Sequence, residues 1–212
     1  MLHNLIDRGG ISVSVVLLFT LGGCVMTADR DRTVVADGEA TLYAPEVVDA
    51  YAHALGLMDA GSFDQAAAEF TKLADAHPDL AGPMTNLAIL AQRSGDTDTA
   101  IEWLNRATRV CTNCAPSWVQ LGIIRRRAGQ FDEAEAAYLQ ALQSDPDYAL
   151  AHYNLGVLYD LYQQRHEPAL EHYERYVALS NDETSNRQVD KWIADLRRRL
   201  DSGPRTAQAG EM

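Results

Sequence analysis

Apolar positions from about residue 46 to residue 200 recur at the three-to-four-residue spacing of helices, and the pattern repeats itself at a fixed step of 34. Gly61, Gly95 and Gly129 are one such series, and so are Ala66, Ala100 and Ala134. Leu87, Leu121 and Leu155 keep the same step, as do Ala54, Ala88, Gly122 and Gly156. Phe70, Leu104 and Tyr138 follow it, and Tyr173 comes 35 residues later. A period of this length with small residues at two fixed points predicts stacked helix–turn–helix units. The expected helices are 46–60, 63–77, 81–94, 97–111, 115–128, 131–144, 149–164 and 167–180. Small residues let the two helices of a unit approach closely, and Pro78 and Pro146 stop the second helix because proline has no N–H to donate. The fourth unit departs from the pattern. It holds one extra residue near Gln163–Arg165, and Pro168 falls in the first turn of its second helix, where proline is tolerated. A ninth helix is expected over 184–200, with Val189, Trp192, Ile193, Leu196 and Leu200 on one face and Arg197, Arg198 and Arg199 on the other. An array of this kind needs a cap with a polar outside, and a solvated cap face accounts for the arginine run.

Particular residues sharpen the assignment. The third unit carries Trp118-x₂-Leu121-Gly122, then Ala134-x₃-Tyr138 and Pro146; the fourth carries Leu155-Gly156-x₂-Tyr159, then Ala169-x₃-Tyr173; the first carries Ala66-x₃-Phe70 and Pro78. Residues 47–182 thereby resemble the tetratricopeptide repeat (TPR) family. The resemblance implies an all-α, right-handed solenoid of about four repeats over 45–182 (47–80, 81–114, 115–148 and 149–182), a capping helix over 183–200 and a disordered tail over 201–212. It also implies a concave groove lined by the first helix of each repeat. The family's groove positions, carried over, fall on Tyr51, Asn86, Ile89, Arg93, Gln120, Ile123, Arg126, Arg127, Tyr153 and Asn154. There the amides could grip a peptide backbone, since an amide both donates and accepts. The family's carboxylate clamp of lysine and asparagine is not reproduced, and Arg125 stands where the family usually has a buried tyrosine.

The N-terminus has a different character. Ile11–Leu21 (ISVSVVLLFTL) is apolar and uncharged, too short to span a bilayer but suited to the core of an export signal. The following Leu21-Gly22-Gly23-Cys24 resembles the bacterial lipoprotein signal, which implies removal of residues 1–23 and lipidation of Cys24. Several acyl chains together hold a protein stably at a membrane, at about 0.8 kcal/mol per buried CH₂. Val25, rather than aspartate, follows the cysteine at the sorting position, which in two-membrane bacteria resembles lipoproteins sent to the periplasmic face of the outer membrane. Residues 24–44 read as a flexible tether.

Charge narrows the partners. The 212 residues carry 18 Lys+Arg against 30 Asp+Glu, a formal net charge of −12, which argues against nucleic acid because phosphate contacts need cations. Residues 86–130 run the other way, with six arginines and three acids, so the remainder carries −15. A basic patch on an acidic body points to an acidic peptide segment or a terminal carboxylate as partner. The competing account is that these arginines only complement helix C-termini.

No catalytic constellation emerges. His166-Glu167 opens like a zinc-protease motif, but Leu170 stands where the second histidine is needed. His53, His77, His152 and His172 lack ligand spacing, and His53, standing where other repeats have leucine, reads as a packed helix residue. There is no phosphate loop and no nucleophile elbow. Cys111-x₂-Cys114 has redox spacing, but Cys111 falls at a helix C-terminus, where the dipole disfavours a thiolate, and one such pair is half a zinc site. In an exported chain the pair reads as a structural disulfide; free thiols, and a redox or metal role, are the alternatives. No cofactor or metal is expected. The sequence thus points to a non-enzymatic, membrane-anchored scaffold that binds a protein or peptide in its groove, serving a cell-envelope machine such as a pilus or secretion pore, a wall-enzyme complex or a TonB-type system. A self-associating oligomer is the further alternative.

Overall fold

The computed structural model describes residues 34–36, 39–41 and 43–202, the first two segments as backbone only. The stretch expected to be an export signal, Cys24 and the residues beyond 202 lie outside them. Val34–Ala36 (β1) pairs antiparallel with Glu39–Thr41 (β2), Val35 opposite Ala40, so the stretch read as a tether contains one short ribbon. The rest is helical: α1 Pro45–Asp59, α2 Phe63–Ala76, α3 Ala81–Ser94, α4 Thr97–Val110, α5 Ala115–Arg127, α6 Phe131–Ser144, α7 Ala149–Val157, α8 His166–Leu179 and α9 Glu183–Asp201. A π-helical turn, Leu158–Tyr162, continues α7.

Each odd-numbered helix from α1 to α7 packs on the even-numbered helix after it, and each even-numbered helix on the next odd-numbered one. In addition α3 touches α5 and α5 touches α7, which makes the odd-numbered layer the tighter one and the inner face of the stack. The array is an all-α solenoid of four two-helix units, closed by α9.

The small residues of the period do what their spacing predicts. A Cβ added to Gly122 would lie 2.4 Å from the Tyr138 ring, and one on Gly156 would lie 2.5 Å from the Tyr173 ring. Both tyrosines are fully buried, so each ring occupies the space where a side chain would stand. Gly61, Gly95 and Gly129 take left-handed conformations at the turns inside the first three units. In the fourth the extra residue alters this turn: Gln164 holds a φ of 54° without being glycine. Asp96 caps α4 by accepting from the Thr99 amide, and Asp182 caps α9 by accepting from the Thr184 and Ser185 amides.

Val189, Ile193 and Leu196 of α9 are buried, and Trp192 stacks between Tyr153 and Tyr173, with centroids 6.1 and 5.5 Å away. His53 is not packed as expected but exposed. Its counterparts Leu87, Leu121 and Leu155 are buried in the core; α1 is the first helix of the stack and has no preceding unit to cover that face.

Candidate functional site

The arginine-bearing ends of α3 and α5 form the most distinctive surface. Arg93 at the end of α3 is exposed and lies 3.8 Å above the Phe63 ring at the start of α2. Arg127 at the end of α5 is exposed. Arg126, half-buried, donates from Nε to the Tyr138 hydroxyl at 3.3 Å and from Nη1 to the Tyr162 hydroxyl at 3.2 Å. Burial alone would lower its pKa, but the two hydroxyls outweigh burial and hold it above the ordinary arginine value. Arg125 donates to Gln130 at 2.9 Å, and Arg106 covers Trp103 at 4.3 Å. Among the described residues, none of the six arginines between 86 and 130 pairs with a carboxylate.

Three groove candidates belong elsewhere. Tyr51, Asn86 and Asn154 are 1%, 2% and 5% exposed and are core residues. Asn86 Nδ2 donates to the Tyr51 hydroxyl at 2.7 Å and to the Gly82 carbonyl at 3.0 Å; Asn154 Nδ2 donates to the Leu150 carbonyl at 2.8 Å. Each Nδ2 is thus satisfied inside the fold, by a carbonyl one turn back and for Asn86 also by the Tyr51 hydroxyl, as buried polar groups must be. Ile89, Gln120, Ile123 and Tyr153 remain half-buried on the inner helices, with Tyr153 packed against Tyr176 and Trp192 at the capped end.

Sequence reasoning missed a polar hub beside this surface. Glu135 of α6 accepts from the Tyr159 hydroxyl at 2.8 Å, Gln163 Nε2 at 3.0 Å and Arg165 Nη1 at 3.0 Å. Burial raises its pKa, but these three donors outweigh it and hold the carboxyl below the usual range. Tyr159 is correspondingly pushed up to about 12, by burial first and by Glu135 second. The hub ties α6 to the inserted turn. The signal that could have found it is the non-glycine residue at the fourth left-handed turn.

The other candidates have structural surroundings. Cys111 and Cys114 are joined in a disulfide, with Cα atoms 5.4 Å apart, across the α4–α5 turn. Cys114 is buried. The Thr112 carbonyl inside this ring accepts from Trp118 Nε1 at 2.8 Å and from Ser144 Oγ at 3.2 Å, which gives the loop a scaffolding role. His152 and His172 face each other with Nδ1 atoms 2.9 Å apart. His152 Nε2 lies 3.0 Å from the Pro146 carbonyl, which can only accept; in the neutral ring Nε2 then donates there and Nδ1 accepts from His172. No group of three or more His, Cys, Asp or Glu side chains suited to a metal occurs among the described residues. No helix among them is long and apolar enough to cross a membrane.

Comparison with known proteins agrees with this architecture. Two family descriptions match the chain: "Tetratricopeptide repeat" over residues 51–113 and "TPR repeat" over residues 122–161. Residues 51–113 and 122–161 are tetratricopeptide repeats. PilF from Pseudomonas aeruginosa superposes with a TM-score of 0.65 at 24% identity, covering 74% of this chain and 70% of that one. YrrB, described as a TPR protein with an unusual peptide-binding site, gives 0.54 at 23% identity, covering 68% and 74%. The first TPR module of Spaghetti (RPAP3), solved with an HSP90 peptide SRMEEVD, gives 0.52 at 20% identity, covering 57% and 96%. At these identities the likeness is one of fold. No curated protein matches the chain at the sequence level. TPR arrays are in general protein-interaction scaffolds.

Proposed function

We propose that this protein is a non-enzymatic, membrane-anchored TPR scaffold that holds an acidic segment of a protein partner along the inner helices, with Arg93, Arg126 and Arg127 as the cationic contacts. One observation carries the reading: Arg93, Arg126 and Arg127 stand at the ends of the inner helices α3 and α5 of an acidic chain, and none has a carboxylate partner among the described residues. An exposed guanidinium with no carboxylate partner inside the fold is available for a charge-assisted hydrogen bond to an acidic ligand. The acidic peptide in the RPAP3 module is a precedent for such a ligand on this fold. The anchor rests on Leu21-Gly22-Gly23-Cys24 following the apolar run. It puts the solenoid at a membrane surface, on the periplasmic face of the outer membrane in a two-membrane cell, where it would serve assembly of an envelope machine such as a pilus, secretion pore, wall-enzyme complex or TonB-type system.

Two measurements test this reading. Cells fed labelled palmitate should yield a labelled protein, and Cys24→Ala should abolish the label; an unlabelled wild type would remove the anchor from the account. A photo-crosslinking residue placed at Ile123 should capture a partner protein in cells, whereas the same group at Arg197 on the cap should not. Capture at Arg197 alone would move the interface to α9.

A further inference from the structure

We infer that the one-residue insertion in the fourth repeat builds a second recognition element, an apolar lip of Leu161 and Tyr162 that takes a bulky aliphatic or aromatic side chain of the same acidic segment. The inference rests on the reading that the arginine surface binds an acidic segment, and it specifies that segment further.

Leu161 stands at a place already marked by the repeat. Arg93, Arg127 and Leu161 are 34 residues apart and fall near the ends of α3, α5 and the turn that continues α7. All three are exposed, so the row of side chains runs from cation to cation to leucine. The insertion shapes its last member. The Gln163 amide donates back to the Leu158 carbonyl at 3.1 Å, closing a π turn, and Gln164 takes the left-handed conformation that glycine supplies elsewhere. Such turns force one extra residue into a helix and recur at functional sites. Here the turn leaves Leu161 67% exposed and Tyr162 44% exposed. A single exposed leucine is ordinary. Two adjacent large apolar side chains on the one turn that breaks the repeat, beside uncompensated cations, are not.

The lip is held rigid, as a recognition element needs to be. The Tyr162 ring packs on Phe131 with centroids 5.0 Å apart, and its hydroxyl accepts from Arg126 at 3.2 Å. The Arg165 amide donates to the Tyr159 carbonyl at 2.8 Å, and the Glu135 hub fixes the turn from below. Tyr162 therefore links the apolar patch directly to the cation. Packed helices such as α5 and α7 lie about 8–10 Å apart, and an extended chain advances about 3.3 Å per residue. A carboxylate on Arg127 would thus put the side chain two or three residues along the segment onto Leu161. The ligand class is a peptide with Asp or Glu followed, at that distance, by Leu, Ile or Phe.

The test is a positional-scanning library of synthetic decapeptides bound to the detergent-solubilised full-length protein, with wild type, Arg127→Ala and Leu161→Ser compared. Both replaced residues are exposed, and circular dichroism checks that the helices persist. Wild type should select Asp or Glu with a bulky apolar residue two or three positions away. Leu161→Ser should keep the acidic preference, lose the apolar one and bind the selected peptides about five- to tenfold more weakly. Acidic selection without an apolar preference, or an apolar preference undiminished in Leu161→Ser, overturns the lip while leaving the arginine surface standing. Absence of acidic selection in wild type overturns the underlying reading and the lip with it.

Discussion

Residues 86–130 and residues 165–199 each contain six arginines, and the two sets are employed differently. In the C-terminal set five are ion-paired: Arg165 with Glu135, Arg175 with Asp147, Arg197 with Glu174, Arg198 with Asp195, and Arg199 with Asp195 at 2.5 Å. The sixth, Arg187, donates to the Thr184 hydroxyl. In the middle set the partners are Phe63, Trp103, Gln130, Tyr138 and Tyr162, all neutral. Exposed ion pairs contribute little stability, typically about 0–1 kcal/mol, so the C-terminal pairs serve mainly to neutralise and orient the cap. Among the described residues the middle set has no carboxylate partner, in a protein of net charge −12. A local potential of this kind steers and orients an oppositely charged partner. Charge density along the sequence is therefore a weaker guide to a binding surface than whether each charge is already answered inside the fold.

The comparison can be broken most severely at Gly122. Tyr138 lies against it and also accepts the Arg126 hydrogen bond. Gly122→Val should displace the ring, cost about 3 kcal/mol of stability by overpacking, and loosen Arg126 with it. Thermal unfolding together with partner binding measures both. A melting temperature equal to that of wild type would mean that the close approach of the two helices is not required.

Glu135→Ala comes next and should act on the C-terminal side only. It removes one acceptor for three donors and should cost about 1.5–3 kcal/mol, the range for hydrogen bonds to a charged group. Urea unfolding checks this, and binding of an acidic peptide that lacks the apolar residue, through Arg93 and Arg127 alone, should be retained. Loss of binding with unchanged stability would reverse the assigned roles of the two regions.

A smaller effect comes from the histidine pair. Burial, then His152 and Arg165, lower the His172 pKa from 6.5 to about 4, against an opposing pull from Glu135; Tyr159 packs on its ring. Between pH 6.5 and 4 the unfolded chain takes up a proton that the folded chain refuses. The stability this histidine contributes is therefore complete above about pH 6.5, falls as pH drops through that window, and its loss is complete below about 4. For a partly exposed group the loss is on the order of 1–2 kcal/mol. Melting temperatures at pH 7.5 and 4.5 should fall less in His172→Gln than in wild type; equal falls would assign the acid sensitivity to other groups.

Much of the fold was legible because the repeat writes the same packing rule several times. Helix ends fall within one or two residues of expectation wherever glycine or proline punctuates the turn, as at Gly95 and Pro78. The exception is α7, expected to run to 164: the extra residue was visible as a break in the period, but its conversion into a π turn after Val157 was not. The candidate site was legible in its charge and not in its polar neutral members. Asn86 and Asn154 share a helix position with residues that face a groove, yet their amides bond to carbonyls four residues back, and a sequence does not distinguish an inward amide from an outward one. Glu135 was hidden for a related reason, since its three donors come from residues 24 to 30 positions away that only the inserted turn brings together.

The central claim, that the unpaired arginines are the partner's counter-charges, is tested most directly by titrating the partner recovered by crosslinking against wild type and Arg93→Ala/Arg127→Ala at low and high salt. Both side chains are exposed and neither builds the repeat core. The account predicts a loss of about 1–3 kcal/mol in binding at low salt. That loss should shrink at high salt as screening shortens to a few ångströms, with helicity and melting temperature unchanged. Unaltered affinity in a folded double variant would contradict it and place the interface away from the inner arginine row.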